Sequence, residues 1–467
     1  MITLFFDTSS KTPLYEQLYQ YIKQAIEQNE LKANEKLPSK RKLAAHLKVS
    51  VITIETAYNQ LMVEGYIKSK PKSGFFVMPY VRLKPTTKSS QTNHVVTTVE
   101  KPHYEVDFKT NQVDQDSFPY SKFAKIERDI VLDNYKTNIN NTNFLGLYDL
   151  RVRISEFLFE YRGIETSPEL IVVGSGSEYL ISLLILLLGR DKIYGVEEPG
   201  YIKNYRLYLD YGAQAKAISL DDQGIRMNSI GNTDILHTTP SHQFPKGIVT
   251  TISRRMELLN WAYEQDDRYL IEDDYDSEFR FTGNPIPAMK GMDPLDRVIY
   301  MNSFSKSIAP SLRVSFMVLP KKLMQNYVDS YSYFTCSVPM ITQMVLENFM
   351  REKEYERHLN RMKILYKSKR DTLIDLFQAS SFGNKIDIIG EEAGLHFLVR
   401  FKTDASVLDI VERAKAVGVR VYGIYEYCLS ERKKLAEKLI ILGYSHLQNA
   451  NFVKATKLLE KAWENLL

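Results

Sequence analysis

Two ionisable side chains, 33 residues apart, have the chemistry of a cofactor site. Lys306 follows Ser303 and Ser305 closely, and Arg313 comes about two helical turns later. Asp273 lies in the acidic end of a strand-like segment, Tyr-Leu-Ile-Glu-Asp-Asp-Tyr at 269–275. A lysine amine beside hydroxyls and a guanidinium can form a Schiff base next to a bound phosphate, while Asp273 can keep a pyridine nitrogen protonated. Pyridoxal 5′-phosphate requires these groups.

Other segments that follow strand-like runs carry further candidates. Tyr275 can reach a phenolic oxygen, and Tyr201 can stack on a flat heterocycle, although Tyr201 taken alone is better explained as a core residue. Gly176, Ser177 and Glu178 precede an apolar helix, whose N-terminal N–H groups form a cradle for an anion. Such a turn is weak support by itself because many turns look alike.

Strand-like runs must position these groups. They alternate with helical patterns and lie at 171–173, 193–196, 235–238, 269–272 and 298–301. The alternation predicts an α/β layer with a mainly parallel sheet. Ligands of open α/β sheets bind outside the carboxyl ends of strands, so the five clusters that follow these runs should converge on one crevice. From Asn360 onward, helices mix with strands at 396–401 and 439–442, which indicates a smaller α+β lobe.

The N-terminal 79 residues have a different pattern. Apolar residues at helical spacing predict helices at about 14–28, 41–47 and 51–64, with capping serines before the second and third. Residues 66–77 read as a two-stranded wing with a basic tip. Helix order, caps and wing together predict a winged helix-turn-helix.

Charge and residue type predict a DNA-binding surface on this module. Residues 1–80 contain eleven Lys and Arg against seven Asp and Glu, so their excess of four positive charges equals the net +4 of the chain. A third helix in the major groove reads base edges, and cations contact phosphates. The candidate DNA contacts are Ser39, Lys40, Arg41, Ser50, Thr53, Thr56, Lys68, Lys70 and Lys72. A protein-binding or purely structural three-helix domain is the alternative.

Composition limits the remaining possibilities. The 467 residues are 44% hydrophobic and 25% charged, which is typical of a globular protein with two or three domains. The apolar run 179–188 is too short to cross a bilayer, and no secretory signal is evident, so we expect a cytoplasmic protein. Cys336 and Cys428 match no metal spacing and are expected to be reduced thiols. The polar stretch 80–104 reads as a linker.

The N-terminal module resembles the GntR family of bacterial repressor heads. The resemblance rests on Leu-Pro-Ser-Lys-Arg-Lys-Leu-Ala at 37–44, Ala-Tyr-Asn-Gln-Leu at 57–61 and Gly-Phe-Phe-Val at 74–77. That family often has an arginine just after the serine that begins the recognition helix, and here the residue is Val51. Operator preference therefore does not carry over from the family.

Residues 105–467 resemble the fold-type I aminotransferases. The resemblance implies that Lys306 forms the Schiff base, Asp273 binds the pyridine nitrogen, Tyr275 the phenolic oxygen, and Tyr201 stacks on the ring. It implies that Gly176, Ser177, Ser303 and Arg313 bind the phosphate, and Glu178 and Ser305 are further candidates for binding the cofactor. It also implies a homodimer, with each head lying over the partner's body. No metal is implied.

A GntR-type head joined to an aminotransferase-like body is the signature of the MocR family of regulators. The segments Glu-Glu-Pro-Gly-Tyr at 197–201, Thr-Thr-Pro-Ser-His-Gln-Phe-Pro at 238–245 and Ile-Glu-Asp-Asp-Tyr-Asp-Ser-Glu-Phe at 271–279 resemble the branch with the regulators GabR and PdxR. The resemblance implies a DNA operator and pyridoxal 5′-phosphate as partners, with an amino compound as a possible second effector.

Departures from working aminotransferases affect the choice of effector. Phe244 stands where those enzymes have an asparagine that bonds the cofactor oxygen, and Ile441 stands where an arginine binds the substrate carboxylate. Lys203 and His446 are the remaining candidates for binding an effector carboxylate. Loss of the bidentate arginine favours sensing of pyridoxal phosphate itself over sensing of GABA.

Three functional hypotheses remain. The first is a transcription regulator that controls genes of vitamin B6 synthesis or amino-compound metabolism. The second is a genuine aminotransferase with a vestigial head, which predicts ordinary turnover with an amino donor. The third is a scaffold without cofactor, which the five converging clusters disfavour.

Overall fold

The computed structural model of the chain describes residues 2–7, 9–81, 103–134, 140, 143–283, 286–430, 438–464 and 466. The chain divides into two compact units, Met1–Glu100 and Lys101–Leu467. Most of the predicted linker, 82–102, lies outside the described residues. No helix in the described part of the chain is long and apolar enough to span a membrane.

The N-terminal unit is a winged helix-turn-helix. Its elements in chain order are α1 Leu14–Glu27, β1 Lys36–Leu37, α2 Lys40–Leu47, α3 Val51–Val63, β2 Ile67–Lys70 and β3 Gly74–Val77. β2 and β3 form the antiparallel wing, and β1 pairs with the other edge of β3. The predicted helices and wing are confirmed to within one or two residues.

Capping side chains set the ends of α2 and α3. The Ser39 hydroxyl accepts a hydrogen bond from the backbone N–H of Lys42, and the Ser50 hydroxyl accepts one from Thr53 at 3.1 Å. Lys48 ends α2 in the left-handed conformation, which redirects the chain into α3. The helices bury apolar side chains at helical spacing, among them Leu18, Ile22, Leu43, Ile54, Ala57, Tyr58 and Leu61.

The second unit is a mixed α/β body. Its strands are β4 Val106–Asp107, β5 Ile171–Gly174, β6 Ile193–Glu198, β7 Gln214–Asp221, β8 Gly224–Ile225, β9 Ile235–Thr238, β10 Tyr269–Asp274, β11 Val298–Ser303, β12 Ser315–Val318, β13 Ile386–Ile389, β14 His396–Phe401, β15 Val419–Arg420, β16 Tyr422–Gly423 and β17 Leu439–Gly443. Its helices are α4 Tyr120–Asp129, α5 Tyr148–Arg162, α6 Ser177–Leu188, α7 Ile202–Asp210, α8 Ile252–Tyr263, α9 Phe304–Ser307, α10 Lys321–Tyr331, α11 Met340–Arg351, α12 Glu354–Ala379, α13 Val407–Ala416 and α14 Asn449–Trp463.

The central sheet has eight strands in the order β5-β12-β11-β10-β9-β6-β7-β8. The run from β11 to β7 is parallel, whereas β12 is antiparallel to both of its neighbours. The expected mainly parallel sheet is therefore confirmed. Strands that are buried on both faces consist mostly of apolar residues. Their positions could therefore be predicted from apolar runs in the sequence.

A smaller antiparallel sheet, β13-β14-β17-β16, forms the lobe expected near the C-terminus. α13 and α14 pack beside it, and Trp463 donates its indole N–H to the carbonyl of Ile410. The apolar run 179–188 lies within the buried helix α6. No disulfide joins Cys336 and Cys428.

Candidate functional site

A cavity of about 210 Å³ lies at the carboxyl ends of the central strands. Each of the five predicted clusters contributes to its wall. The lining residues used below are Asn111, Ser177, Glu178, Tyr201, Asn204, His237, Phe244, Asp273, Tyr275, Ser303, Ser305, Lys306 and Arg313. The convergence arises because parallel strands present their carboxyl ends at one edge of the sheet.

Lys306 lies on the short helix α9, directly after β11. The hydroxyl of Ser303 caps that helix by accepting a hydrogen bond from the backbone N–H of Ser305 at 3.1 Å. The Lys306 ammonium donates to the side-chain oxygen of Asn111. Burial lowers the pKa of Lys306 to about 8, because the charged amine loses hydration. A larger fraction of this amine than of an exposed lysine is neutral and nucleophilic near pH 7.

An anion cradle lies beside this amine. Gly176, at the N-terminus of α6, has φ +100°, and a β-carbon there would collide with the guanidinium of Arg313. Arg313 donates to the carbonyl of Ser175 at 3.1 Å, and Ser177 and Ser303 present hydroxyls to the cavity. Backbone N–H groups, hydroxyls and a guanidinium are groups that can bind a phosphate.

Glu178 lies within the same cradle. One of its carboxylate oxygens accepts from Lys203 and the other lies 3.0 Å from Arg313 Nη2. The hydrogen bond from Lys203 has the largest effect on the pKa of Glu178 and lowers it below its usual value. The carboxylate is therefore charged at neutral pH. The predicted effector residue Lys203 is thus paired with Glu178, and it is not among the residues that line the cavity.

Asp273 reaches the cavity from the end of β10 and is held by a histidine. Its Oδ2 atom lies 3.3 Å from His237 Nε2, and the other ring nitrogen of His237 lies 2.7 Å from the hydroxyl of Tyr208. Asn204 also contacts His237 Nε2, at 3.2 Å. Asn111, Asn204 and His237 were not predicted. The available signal for His237 was a histidine that directly follows the apolar residues Ile235 and Leu236 in the buried strand β9.

Tyr275 and Tyr201 contribute aromatic rings to the wall. The Tyr275 hydroxyl lies 3.0 Å from Nδ1 of His242, which in turn pairs with Asp276. Burial raises the pKa of Tyr275 well above its usual range, so its hydroxyl keeps its proton. Tyr201 meets Phe244 edge to face at a centroid distance of 5.9 Å.

The two C-terminal positions considered for carboxylate binding, 441 and 446, offer no cation to this cavity. His446 is not among its lining residues, and its Nε2 atom lies 3.0 Å from the carbonyl of Asp107. Burial lowers the pKa of His446, which disfavours a positive charge there. Ile441 is fully buried in a small apolar cluster with Leu398. Arg313 is the arginine that lines the cavity within the described part of the chain.

A second candidate site is the outer face of the helix-turn-helix. Arg41, Lys70 and Lys72 are exposed, and Lys68 is half-buried. Lys40 is paired with Glu55 of α3 at 2.6 Å, so its charge is partly neutralised within the unit. The predicted contacts Ser39 and Ser50 cap the two helices, which places their backbone at the start of each.

Family comparisons cover both units. Residues 14–77 match the gntR family of bacterial regulatory proteins, and residues 105–441 match aminotransferase class I and II. The latter match covers more than half of the chain.

Individual relatives share this arrangement. The HTH-type transcriptional regulator YhdI of Bacillus subtilis is 37% identical over 100% of this chain and 99% of its own length. The pyridoxine biosynthesis regulator PdxR of Corynebacterium glutamicum is 30% identical over 79% of this chain and 80% of its own. The probable rhizopine catabolism regulatory protein MocR of Rhizobium meliloti is 29% identical over 85% of this chain and 84% of its own length.

The fold of the body is that of known aminotransferase structures. A crystal structure of kynurenine aminotransferase from Pyrococcus horikoshii superposes with a TM-score of 0.68. The superposition covers 81% of this chain and 95% of that chain at 22% identity. At this identity the likeness establishes the fold alone.

Proposed function

The chain belongs to the MocR family of HTH-type transcriptional regulators, which join a gntR-family DNA-binding domain to an aminotransferase-like domain, and we propose that its body binds pyridoxal 5′-phosphate to control DNA binding. The proposed division is a head at 1–79, a linker at 80–104 and a body at 105–467. The observation that carries the proposal is the Lys306 amine, which lines the cavity at the carboxyl ends of the central strands and whose pKa is lowered to about 8.

The residues of the cavity fit this cofactor. When bound, pyridoxal 5′-phosphate supplies an aldehyde that reacts reversibly with primary amines. Lys306 offers such an amine, and the contact with Asn111 orients it. Asp273, steadied by His237, offers a carboxylate for a protonated pyridine nitrogen. Tyr275 offers a hydroxyl that keeps its proton.

The cradle fits the phosphate group of the cofactor. Arg313 and the N-terminus of α6 supply positive charge and N–H donors, while Ser177, Ser303 and Ser305 supply hydroxyls. The close approach of Arg313 to Gly176 brings the guanidinium against the backbone of the cradle. These groups would bind and orient the phosphate.

Among possible effectors, the wall of the cavity favours pyridoxal phosphate itself. An amino-acid effector needs a cation for its carboxylate, and a bidentate arginine is the strongest partner. Ile441 is buried among apolar side chains, Lys203 is paired with Glu178, and His446 lies away from the lining. We therefore propose that the regulated genes serve vitamin B6 synthesis, with amino-compound metabolism as the alternative.

The resemblance to fold-type I proteins supports a homodimeric regulator in which each head lies over the partner's body. Two heads would then bind two DNA half-sites. Light scattering of the purified full chain tests this part of the proposal. A mass of twice 54.1 kDa is expected, and a monomer at all micromolar concentrations would contradict it.

Spectroscopic titration tests the cofactor assignment. Pyridoxal 5′-phosphate added to the cofactor-free full chain should produce a protein-bound visible absorbance band and raise the melting temperature. Lys306→Ala should lose the band. Lys321→Ala, which removes an exposed lysine at the start of α10, should retain it. A band of equal intensity in Lys306→Ala would show that another amine is used.

Transamination is the second candidate function. The combined presence of Lys306, Asp273 and Tyr275 in the cavity favours it, because these groups also serve in working aminotransferases by resemblance. Steady-state assays with a panel of amino donors and keto acids distinguish the two. The regulator proposal expects turnover far below about 1 per second, whereas an enzyme should reach about 1–1000 per second.

A further inference from the structure

The outer face of α3 begins with two aliphatic side chains. Val51 and Ile52 are its first two residues, and they are 42% and 74% exposed. Single exposed apolar residues are common on protein surfaces. Their position is what matters here, because the N-terminal residues of a recognition helix are the ones that meet base edges in the major groove.

The polar neighbours of these two residues are engaged within the unit itself. The Thr53 hydroxyl lies 2.8 Å from the hydroxyl of the capping residue Ser50. Thr56 donates its hydroxyl hydrogen to the carbonyl of Ile52 at 3.0 Å. Glu55 is paired with Lys40 at 2.6 Å. The start of the helix therefore presents aliphatic groups beside polar groups that already have intramolecular partners.

The same unit also carries exposed positive charge. Arg41 on α2 is exposed, as are Lys70 and Lys72 on the wing, and the first 80 residues carry four more positive than negative charges. Such charges bind phosphates and fix the position of the helix on the duplex, but they do not select a sequence. Selection must come from the groups that reach the floor of the groove.

From these contacts we infer that Val51 and Ile52 recognise thymine methyl groups in the operator. The C5-methyl group of thymine is the apolar feature that a base pair displays in the major groove, and the other base edges display hydrogen-bond donors and acceptors. Valine and isoleucine side chains can contact the methyl group but cannot hydrogen-bond to the other edges. The inference goes beyond the cofactor proposal and does not depend on it.

The test begins with duplexes selected from a random library by the full-length protein, with and without pyridoxal 5′-phosphate. Each thymine of a selected duplex is then replaced singly by deoxyuridine, which removes one methyl group and keeps the hydrogen-bonding pattern. Burying a methyl group contributes about 0.8 kcal/mol, so the affinity should fall about fourfold at one or two positions in each half-site. The salt dependence should stay unchanged, because phosphate contacts are retained.

Variants connect the methyl effect to the two side chains. Val51→Ala and Ile52→Ala should weaken binding to the thymine duplex and reduce the loss caused by deoxyuridine, and the double variant should abolish that loss. Val63→Ala is the matched control, since Val63 is 88% exposed at the opposite end of α3. It should keep the full methyl effect.

Two results would overturn the inference. One is that no thymine position loses affinity when its methyl group is removed. The other is that the double variant, with an unchanged melting temperature, keeps the same deoxyuridine loss as the parent protein. Because both side chains are exposed, we expect these variants to fold normally.

Discussion

The cavity that contains Lys306 and the exposed start of α3 use intramolecular partners in opposite ways. In the cavity, two groups that we propose bind the cofactor have side-chain partners: Asn111 contacts Lys306, and His237 contacts Asp273. On α3, the partners of Thr56 and Glu55 occupy polar groups and leave aliphatic side chains exposed. Under our proposals, intramolecular contacts in the cavity position charged groups for the cofactor. On α3, similar contacts occupy the polar groups, which leaves the aliphatic side chains to meet the DNA.

Burial explains the difference. In the cavity, polar groups lie in a poorly hydrated environment, where a group without a partner is costly and where a paired group acts strongly. On the exposed helix, water competes with every contact, so a hydrogen bond or ion pair contributes little. Four perturbations, from the largest expected effect to the smallest, test this contrast.

The largest effect should come from the buried charges behind the cavity. Arg162 and Asp274 form an ion pair at 2.7 Å, with side chains 3% and 2% exposed. Arg162→Met would leave the carboxylate of Asp274 buried without its partner, which typically costs about 3–5 kcal/mol. Urea unfolding, followed through the transition of the body, should show a loss of this size.

The matched change in the head removes an ion pair of similar length. Lys40 and Glu55 are 2.6 Å apart but have side chains 25% and 48% exposed. Lys40→Met should lower the free energy of unfolding of the head by less than about 1 kcal/mol. Equal losses for Lys40→Met and Arg162→Met would contradict the contrast between the two regions.

The next largest effect should come from replacing the glycine at the N-terminus of α6. Gly176 has φ +100°, and a β-carbon there would collide with Arg313. Gly176→Ala should strain the backbone by about 1–3 kcal/mol and lower the affinity for pyridoxal 5′-phosphate at least about tenfold. Gly65, with φ +77° and no atom near its hypothetical β-carbon, is the control. Gly65→Ala should leave cofactor affinity unchanged in a fluorescence titration.

The third effect is on pH dependence. Under the proposal, the neutral form of the Lys306 amine would react with the aldehyde, and burial lowers the pKa of this amine to about 8. Below pH 8 the neutral fraction falls about tenfold per pH unit, so stopped-flow capture rates should rise from pH 6 to 8 and level off above. Since the unfolded chain binds this proton more tightly, Lys306 should also make stability rise with pH from about 8 to 10.4. A rate that rises to pH 10 without levelling would contradict the lowered pKa.

The smallest effect concerns the anion cradle. The Glu178 carboxylate, paired with Lys203 and Arg313, competes with a phosphate for the same cations. Because all three side chains are partly exposed, Glu178→Gln should strengthen binding of pyridoxal 5′-phosphate only about two- to fivefold. Pyridoxal, which lacks the phosphate, should bind with unchanged affinity. Equal changes for both compounds would show that Glu178 acts on something other than the phosphate.

The sequence predicted elements best where one local rule sufficed. Buried parallel strands such as β11 begin with apolar runs, and α2 and α3 of the head follow capping serines, so these elements were located closely. The insertion of the antiparallel strand β12 between β5 and β11 was not predicted, because strand order depends on long-range pairing.

The same limit applies to the site residues. Lys306 and Asp273 were identified from local spacing and from resemblance, whereas their partners Asn111 and His237 are distant in sequence. The charge of Lys40 was visible in the sequence, but its pairing with Glu55, fifteen residues later, was not. Partners are set by the fold, and they decide which groups remain available to a ligand.

The coupling between the two regions can be measured directly. A selected duplex is titrated with the full chain and with Lys306→Ala, each with and without pyridoxal 5′-phosphate. If the occupied body governs the head, the cofactor should change the dissociation constant at least about fivefold for the parent protein and not at all for Lys306→Ala. An unchanged constant for the parent protein, at cofactor concentrations that saturate its absorbance band, would contradict the account.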